Sequence, residues 1–373
     1  MKDRIVRLTT ACAAAAGLMV AMEVRAQVTV AAGYTRPDDT PKINVGITLF
    51  ADYSYQDSPT LVDGDKNTIH KNSFNLTRAY INVTGNLSHW FAFRITPDIR
   101  AETGTGSSLS GNQTFRIKYG YGQVNFDDFA PKGSWLRLGL QQTPWIDYID
   151  SIYRYRFQGT TFTDAEGFLT SSDYGVSTRF AFPQNYGDVH VGVYNGDGYQ
   201  SLNDQNGVNN EKAIQIRASL RPAPMVPIVK GLRVAGYYDS DHYFSDAKRE
   251  RFVASVTFEH PYVNAGFEYL DAKDQTSVTK SELRRDGFSA WVTPRTPIGI
   301  EGLFRYDELN QNKDASPKPK KKRTVVGIAY WPRLEGGKTI AFLADYSEVK
   351  FKNVLTPDPG KTKIYALHTL FNF

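Results

Sequence analysis

From Lys42 onward one pattern recurs: a segment in which apolar and polar side chains take turns, then a polar break. Successive side chains on a β-strand point to opposite faces, so such a segment presents one greasy face and one wet face. Sixteen segments can be laid out: Ile43–Gln56, Ser73–Asn86, Trp90–Ala101, Phe115–Asp127, Ser134–Thr143, Ser172–Phe182, Val189–Asn195, Ala213–Pro222, Gly231–Asp241, Arg249–Glu259, Val263–Ala272, Leu283–Thr293, Ile298–Asn310, Arg323–Pro332, Thr339–Phe351 and Thr362–Phe373. In Phe252 to Phe258 every even position is apolar. Residues 115 to 126 switch phase midway, which reads either as a bulge or as a misplaced segment.

The breaks alternate in length. Those near Ser88, Pro131, Gln184, Pro261, Thr296 and Gly336 are short, and Ala223–Lys230 is somewhat longer. Those at Asp57–Asn72, Glu102–Thr114, Pro144–Ser171, Gly196–Lys212, Gln311–Lys322 and Lys352–Lys361 are long, with His242–Lys248 and Lys273–Glu282 between. An even strand number and long and short loops in turn are the requirements of a transmembrane antiparallel β-barrel. Lipid tolerates no open sheet edge, so the sheet has to close. A soluble sandwich or propeller shares the alternation but not the loop asymmetry. The expected fold is all-β, a barrel of about sixteen strands.

Other classes are excluded. With 22 Tyr and 22 Phe the chain has ample apolar surface for a fold. No run after the N-terminal region approaches the roughly 18 apolar residues of a spanning helix. One cysteine permits no disulfide framework and no cysteine-based zinc site.

Residues 1–26 read as a secretory signal: Lys2, Arg4 and Arg7 precede an apolar stretch from Ala11 to Met22, and Val24-Arg25-Ala26 offers a cleavage site. Residues 27–42 are expected as a flexible periplasmic lead-in and residues 43–373 as the barrel. Cys12 would leave with the signal. So would four of the 44 basic and two of the 39 acidic residues, leaving a net charge of +3, too balanced to imply nucleic acid.

The chain ends Tyr365-Ala366-Leu367-His368-Thr369-Leu370-Phe371-Asn372-Phe373, with a lipid-facing stripe at the odd positions. This resembles the terminal assembly signature of bacterial outer-membrane barrels and implies that Phe373 engages their assembly machinery. Over the whole mature chain the sequence is similar to the phosphate-selective porin O and P family. The carrying stretches are Leu138-Gly139-Leu140-Gln141-Gln142-Thr143-Pro144-Trp145, Tyr153-Arg154-Tyr155-Arg156 and Ser171-Ser172-Asp173-Tyr174-Gly175-Val176. That resemblance implies a sixteen-stranded outer-membrane pore of a Gram-negative bacterium, assembled as a homotrimer, with phosphate as a candidate solute.

The third long break, Pro144–Ser171, carries Trp145, Tyr148, Tyr153, Tyr155, Phe157, Phe162 and Phe168. A loop that long and that aromatic needs a surface to pack on. The barrel's inner wall supplies one, so the loop is expected in the lumen, constricting the pore with Arg154, Arg156, Asp147 and Asp150. An external flap is the alternative.

The polar phase of each segment gives the expected lumen wall. It places Arg78, Arg94, Arg100, Arg137, Arg179, Arg217, Arg251, Arg285 and Arg305 inward, with Asp52, Asp98, Glu259, Glu268, Glu301 and Asp345. Arginine is costly on a lipid face at mid-membrane, which supports the inward assignment. An excess of inward arginine suits an anion pore, and the guanidinium fork suits phosphate and carboxylate. The same arginines could instead pair with Asp147, Asp150, Asp164 and Glu166 of the loop. Lys318, Lys320, Lys321 and Lys322, with Arg323, are expected at the outer mouth, where they would steer anions, meet lipopolysaccharide or merely be solvated. The histidines His70, His89, His190, His242, His260 and His368 show no metal-ligand spacing, and no catalytic or phosphate-cradling motif is present. No cofactor is expected. The expected activity is passive diffusion of small hydrophilic solutes with anion preference. The alternatives are a general or cation-preferring pore, then a barrel enzyme or an adhesin.

Overall fold

The computed structural model describes residues 39–101, 108, 111–199, 211–354 and 360–373, with the side chains of Arg100 and Ala101 outside that set. The expected signal, and the expected lead-in up to residue 38, also lie outside the described residues.

Sixteen strands close one barrel. They are β1 (Lys42–Ser58), β2 (Asn72–Asn86), β3 (Phe91–Ala101), β4 (Gln113–Asn125), β5 (Trp135–Gln142), β6 (Ser172–Ala181), β7 (Gly187–Tyr194), β8 (Ala213–Leu220), β9 (Leu232–Phe244), β10 (Ala247–His260), β11 (Val263–Asp274), β12 (Leu283–Pro294), β13 (Ile300–Asn310), β14 (Lys320–Tyr330), β15 (Thr339–Lys352) and β16 (Thr362–Asn372). Each pairs antiparallel with its chain neighbours, and β16 returns to β1 with Thr48 opposite Asn372. Phe373 extends the closure, exchanging both backbone hydrogen bonds with Ile47. A small hairpin, Leu61–Val62 with Thr68–Ile69, decorates the first long loop.

The alternation read in the sequence becomes the two faces of the wall. On β8, Ile214, Ile216, Ala218 and Leu220 face outward while Ala213, Gln215, Arg217 and Ser219 are buried inside. Phe74, Phe115, Leu138, Ile328 and Leu367 belong to the same outward apolar surface. The phase switch in the fourth segment is a bulge. Thr96 pairs with Tyr119 and Pro97 with Ile117, which leaves Lys118 as the extra residue of β4. Phe115 and Ile117 are exposed outside it, whereas Tyr121 and Gln123 beyond it are buried. An extra residue reverses the parity of everything after it.

One connection differs from expectation. His242–Lys248 is no open loop, because β9 and β10 continue to a two-residue turn at Ser245-Asp246 and pair Phe244 with Ala247. Gly139 is a glycine that the wall requires. Its φ is +125°, and a Cβ there would stand 2.4 Å from the Gly120 carbonyl oxygen on β4.

Candidate functional site

The third long loop lies inside the barrel. It opens with α1 (Pro144–Ile152) and carries a short α2 (Phe162–Ala165). Proline at the first helical position starts α1. Trp145, Ile146, Ile149 and Ile152 then fall on one face at helical spacing and are all buried.

The loop lies against the wall from β7 round to β1. Trp145 is fully buried, packs tilted against Tyr237 with ring centroids 5.7 Å apart and donates its indole N–H to Glu268 at 3.3 Å. Further along, Tyr153 meets Trp291 at 5.3 Å, Tyr155 meets Trp331 at 5.6 Å, and Phe157 meets Phe50 at 6.4 Å. Each aromatic pair contributes about 0.5–1.5 kcal/mol beyond its area burial. Between them the loop is pinned by charge. Arg154 pairs with Glu301 at 2.9 Å and stacks on Trp331 at 4.1 Å. Glu166 takes Lys321 at 2.8 Å and Arg323 at 3.1 Å from β14. Arg305 reaches the Thr160 carbonyl at 2.7 Å.

The wall arginines read from the sequence divide into two groups. The larger group is paired with carboxylates. Arg78 lies 3.7 Å from Asp98, Arg179 lies 2.6 Å from Asp188, and Arg217 donates to Asp188 at 2.9 Å. Arg251 and Arg285 share Asp274 at 2.5 and 3.7 Å, and Arg305 holds Asp307 at 2.7 Å. The smaller group bonds only to neutral atoms among the described residues. Arg94 donates to Asn82 at 2.8 Å and to Thr96 at 3.0 Å, over the ring of Tyr119. Arg137 donates to Gln123 at 2.7 Å and Gln142 at 3.1 Å, and stacks on Trp135 at 3.8 Å.

Lys118, delivered by the bulge, joins that second group. It is 2% exposed, bonds the Tyr80 hydroxyl at 3.2 Å and lies among the rings of Tyr80, Tyr119 and Tyr199. The charges acting on Asp147 of α1 include Arg137, Arg94, Arg179 and Arg217. Arg156 is held by both Asp150 at 2.9 Å and Asp164 at 3.0 Å, so the four expected constriction residues are not one cluster: Arg154 belongs to the Glu301 side of the loop.

The basic run also divides. Lys318 precedes β14, which begins at Lys320. Lys320 and Lys322 pair with Glu308 on the outer face, while Lys321 points inward to Glu166. Alternation inside a strand splits what looked like one loop patch.

Sequence reading missed inward bases, among them Arg116, Lys118, Arg233 and Arg249, and inward acids including Asp173, Asp188, Asp239, Asp274 and Asp307. The signal was there for most of them: Arg249 stands two residues before Arg251, and Asp307 two after Arg305, in the same phase. Four missed bases against five missed acids narrow the expected surplus of inward arginine over acid only slightly. Among the described residues no group of three potential ligands could hold a metal ion.

The closed barrel and its lumen-filling loop define the transmembrane porin fold. No protein-family model and no curated protein matches the chain. Solved structures do. An anion-selective porin from Comamonas acidovorans matches with a TM-score of 0.61 at 10% identity, over 90% of this chain and 100% of that chain. OmpT, an outer membrane protein of Vibrio cholerae, matches with a TM-score of 0.59 at 11% identity, over 90% of this chain and 99% of that chain. The outer membrane channel DcaP of Acinetobacter baumannii matches with a TM-score of 0.57 at 11% identity, over 91% of this chain and 100% of that chain. At these identities the likeness is one of fold.

Proposed function

We propose that this chain is an outer-membrane porin of a Gram-negative bacterium, passing small hydrophilic solutes by passive diffusion with a preference for anions. One observation carries the preference. Arg94, Lys118 and Arg137, on adjacent strands β3, β4 and β5, are fixed in place by neutral partners. Hydrogen bonds to amides and hydroxyls orient a cation without cancelling its charge, so Arg94 and Arg137 give the lumen a standing positive field. The anion-selective porin of Comamonas acidovorans shares the fold, which is consistent with this reading. Phosphate is a candidate solute.

The rest of the reading follows from the barrel. Residues 1–26 serve as the export signal and 27–42 as a lead-in. The apolar belt contacts lipid, and Lys320 and Lys322 lie at the level of lipopolysaccharide. Phe373 is presented to the assembly machinery, and the protein works as a homotrimer; one structural match is described as a trimer form.

The reversal potential of the purified protein in a potassium chloride gradient tests the preference. A sign reporting chloride supports it, and a sign reporting potassium overturns it. A second reading, weak or cationic selectivity, is favoured by Asp164, Asp173 and Asp239, which line a common cavity with Arg78 and Arg249. Turnover of ester or lipid substrates without conductance would place the protein among barrel enzymes instead.

A further inference from the structure

The wall is not zipped along its whole height. Among the described residues, the last pair between β2 and β3 toward the long loops is Tyr80 with Asp98. Above it β2 is held by β1, with Phe50 opposite Arg78 and Ala51 opposite Leu76. There β3 is held by β4, with Ile99 opposite Phe115. Two local features accompany the open seam. Thr77 is an extra residue in β2, which bends that strand and puts Arg78 on the lumen face and Leu76 on the lipid face. Pro97 in β3 has no N–H to give to either neighbour.

A cavity of about 430 Å³ lies in the seam and touches both faces of the wall. Its outer lip is apolar: Leu76 is exposed, and Ile99 shares a face with the exposed Phe115. Its inner end is formed by Phe50, Asp52 and Arg78 of the lumen face with Arg156 and Phe157 of the third loop. Arg78 also lines a lumen cavity of about 330 Å³ beside Asp173 and Asp239, so the two spaces meet at its side chain. A span takes roughly 9–11 residues of tilted strand. Counted up from Asn86, that puts Leu76 at the outer edge of the apolar belt. Unpaired backbone is tolerated at membrane depth only where protein buries it or where it lines a water-filled cavity, and this seam meets the second condition.

The charge at the inner end suits a single anionic group. Arg116 donates two hydrogen bonds to Asp98, while Arg78 stands 3.7 Å from the same carboxylate, beyond hydrogen-bonding distance. One carboxylate thus faces two guanidinium groups, and Arg78 has donors to offer a ligand. Arg156 is committed to Asp150 and Asp164. Asp52, the one carboxylate among the described residues lining the seam, is engaged by Asn75 at 2.7 Å.

We propose that the seam is a lateral portal between lumen and lipid for a single-chain anionic amphiphile, of the class of fatty acids. Its carboxylate binds Arg78 in the lumen, and its tail leaves between Leu76 and Ile99 into the outer edge of the apolar belt. An apolar lip on one side of the wall and a loosely held guanidinium on the other match the two ends of such a molecule. The inference stands whichever small ions the pore prefers.

The test uses the full-length protein in phosphatidylcholine vesicles and two photoreactive dodecanoic acids, one with a diazirine beside the carboxylate and one with it at the tail end. After irradiation the first is expected to label Phe50 or Phe157, and the second Leu76 or Ile99. Excess dodecanoate should reduce both labels at least fivefold, and acetate should not. Arg78→Gln should reduce the inward label at least fivefold, and Arg78→Lys less. Ile99→Trp, which fills the lip, should reduce it as well. Labelling of Phe180, an outward residue of β6, should persist in every variant and confirms contact with lipid. Heat-modifiable gel mobility confirms that each variant has folded. Label confined to outward residues would overturn the portal. So would inward label given equally by a diazirine-bearing dodecanol or a diazirine-tailed phosphatidylcholine, which would make the occupant ordinary lipid. Competition by acetate would reduce the seam to a plain anion contact. Labelling of Leu76 and Ile99 only after mild heating has separated an oligomer would show a second copy covering the seam, and would overturn the portal too.

Discussion

Tyr155 and Glu301 stand 146 residues apart in the chain, and the Tyr155 hydroxyl donates to the Glu301 carboxylate at 2.8 Å. The same oxygen accepts the indole N–H of Trp331 at 3.2 Å. One side chain thereby fastens the third loop to two elements of the wall.

Removing that hydroxyl loosens the loop without touching the barrel. Tyr155→Phe is expected to cost about 1–3 kcal/mol of loop docking, because it leaves partners unsatisfied in a buried site. Trp145→Ala should cost more, about 3–5 kcal/mol. Both should increase open-channel current noise and protease cleavage between residues 144 and 171, the second more than the first. Equal noise and protection in all three proteins would show that the loop is held elsewhere.

Selectivity should respond to the neutral-partnered bases first. Arg137→Gln and Arg94→Gln are each expected to lower the chloride-to-potassium permeability ratio roughly twofold or more. Arg154→Ala with Arg156→Ala should lower it too, by uncovering Glu301, Asp150 and Asp164. That double variant should also show the noise of a loosened loop, which the two wall variants should not. Reversal potentials and noise recorded on the same channels separate the two effects.

Asp188→Asn strips the shared carboxylate from Arg179 and Arg217. Uncompensated buried charge of that kind costs about 3–5 kcal/mol. The temperature at which the protein loses its folded gel mobility should fall clearly below that of the wild type. Unchanged mobility would mean that the pairs contribute little to the barrel.

A pH effect is expected at the short-turn end. Hydrogen bonds from His89 to Asp39 first, then to Asp128, hold the His89 pKa above its ordinary value of 6.5. The folded value is raised, so the bridge between Asp39 and the turn is complete below pH 6.5 and is lost as pH climbs through the raised pKa. A ring-proton NMR titration should give a midpoint above 6.5, moving down in Asp128→Asn. A midpoint at or below 6.5 would exclude the bridge.

Much of this was legible in one dimension. The strands follow the alternation because the lipid face must be apolar at every second position, a demand that each segment carries by itself. Arg137, Arg217, Arg251 and Arg305 are buried inside the wall for the same reason, since a charge is costly on the lipid face at mid-membrane. The wall's acids were undercounted because attention went to arginine, although Asp188 and Asp307 lay in the same phase.

The sequence by itself determined the periodic order: sixteen segments, the faces they present, the unequal loops and an aromatic third loop too long to leave unpacked. These are local quantities, set by side-chain parity and loop length within each segment. Only the tertiary structure decided the charge of the pore, because a guanidinium's effect depends on what stands across the lumen from it. Arg217 meets a carboxylate and Arg137 meets only amides, although both are inward arginines on neighbouring parts of the wall. Likewise Lys321 and Lys322 are adjacent in the chain, yet one closes onto the lumen loop and the other onto the outer face. Closing the barrel brings residues about 150 positions apart into contact, as Arg154 with Glu301, and no spacing along the chain encodes that meeting.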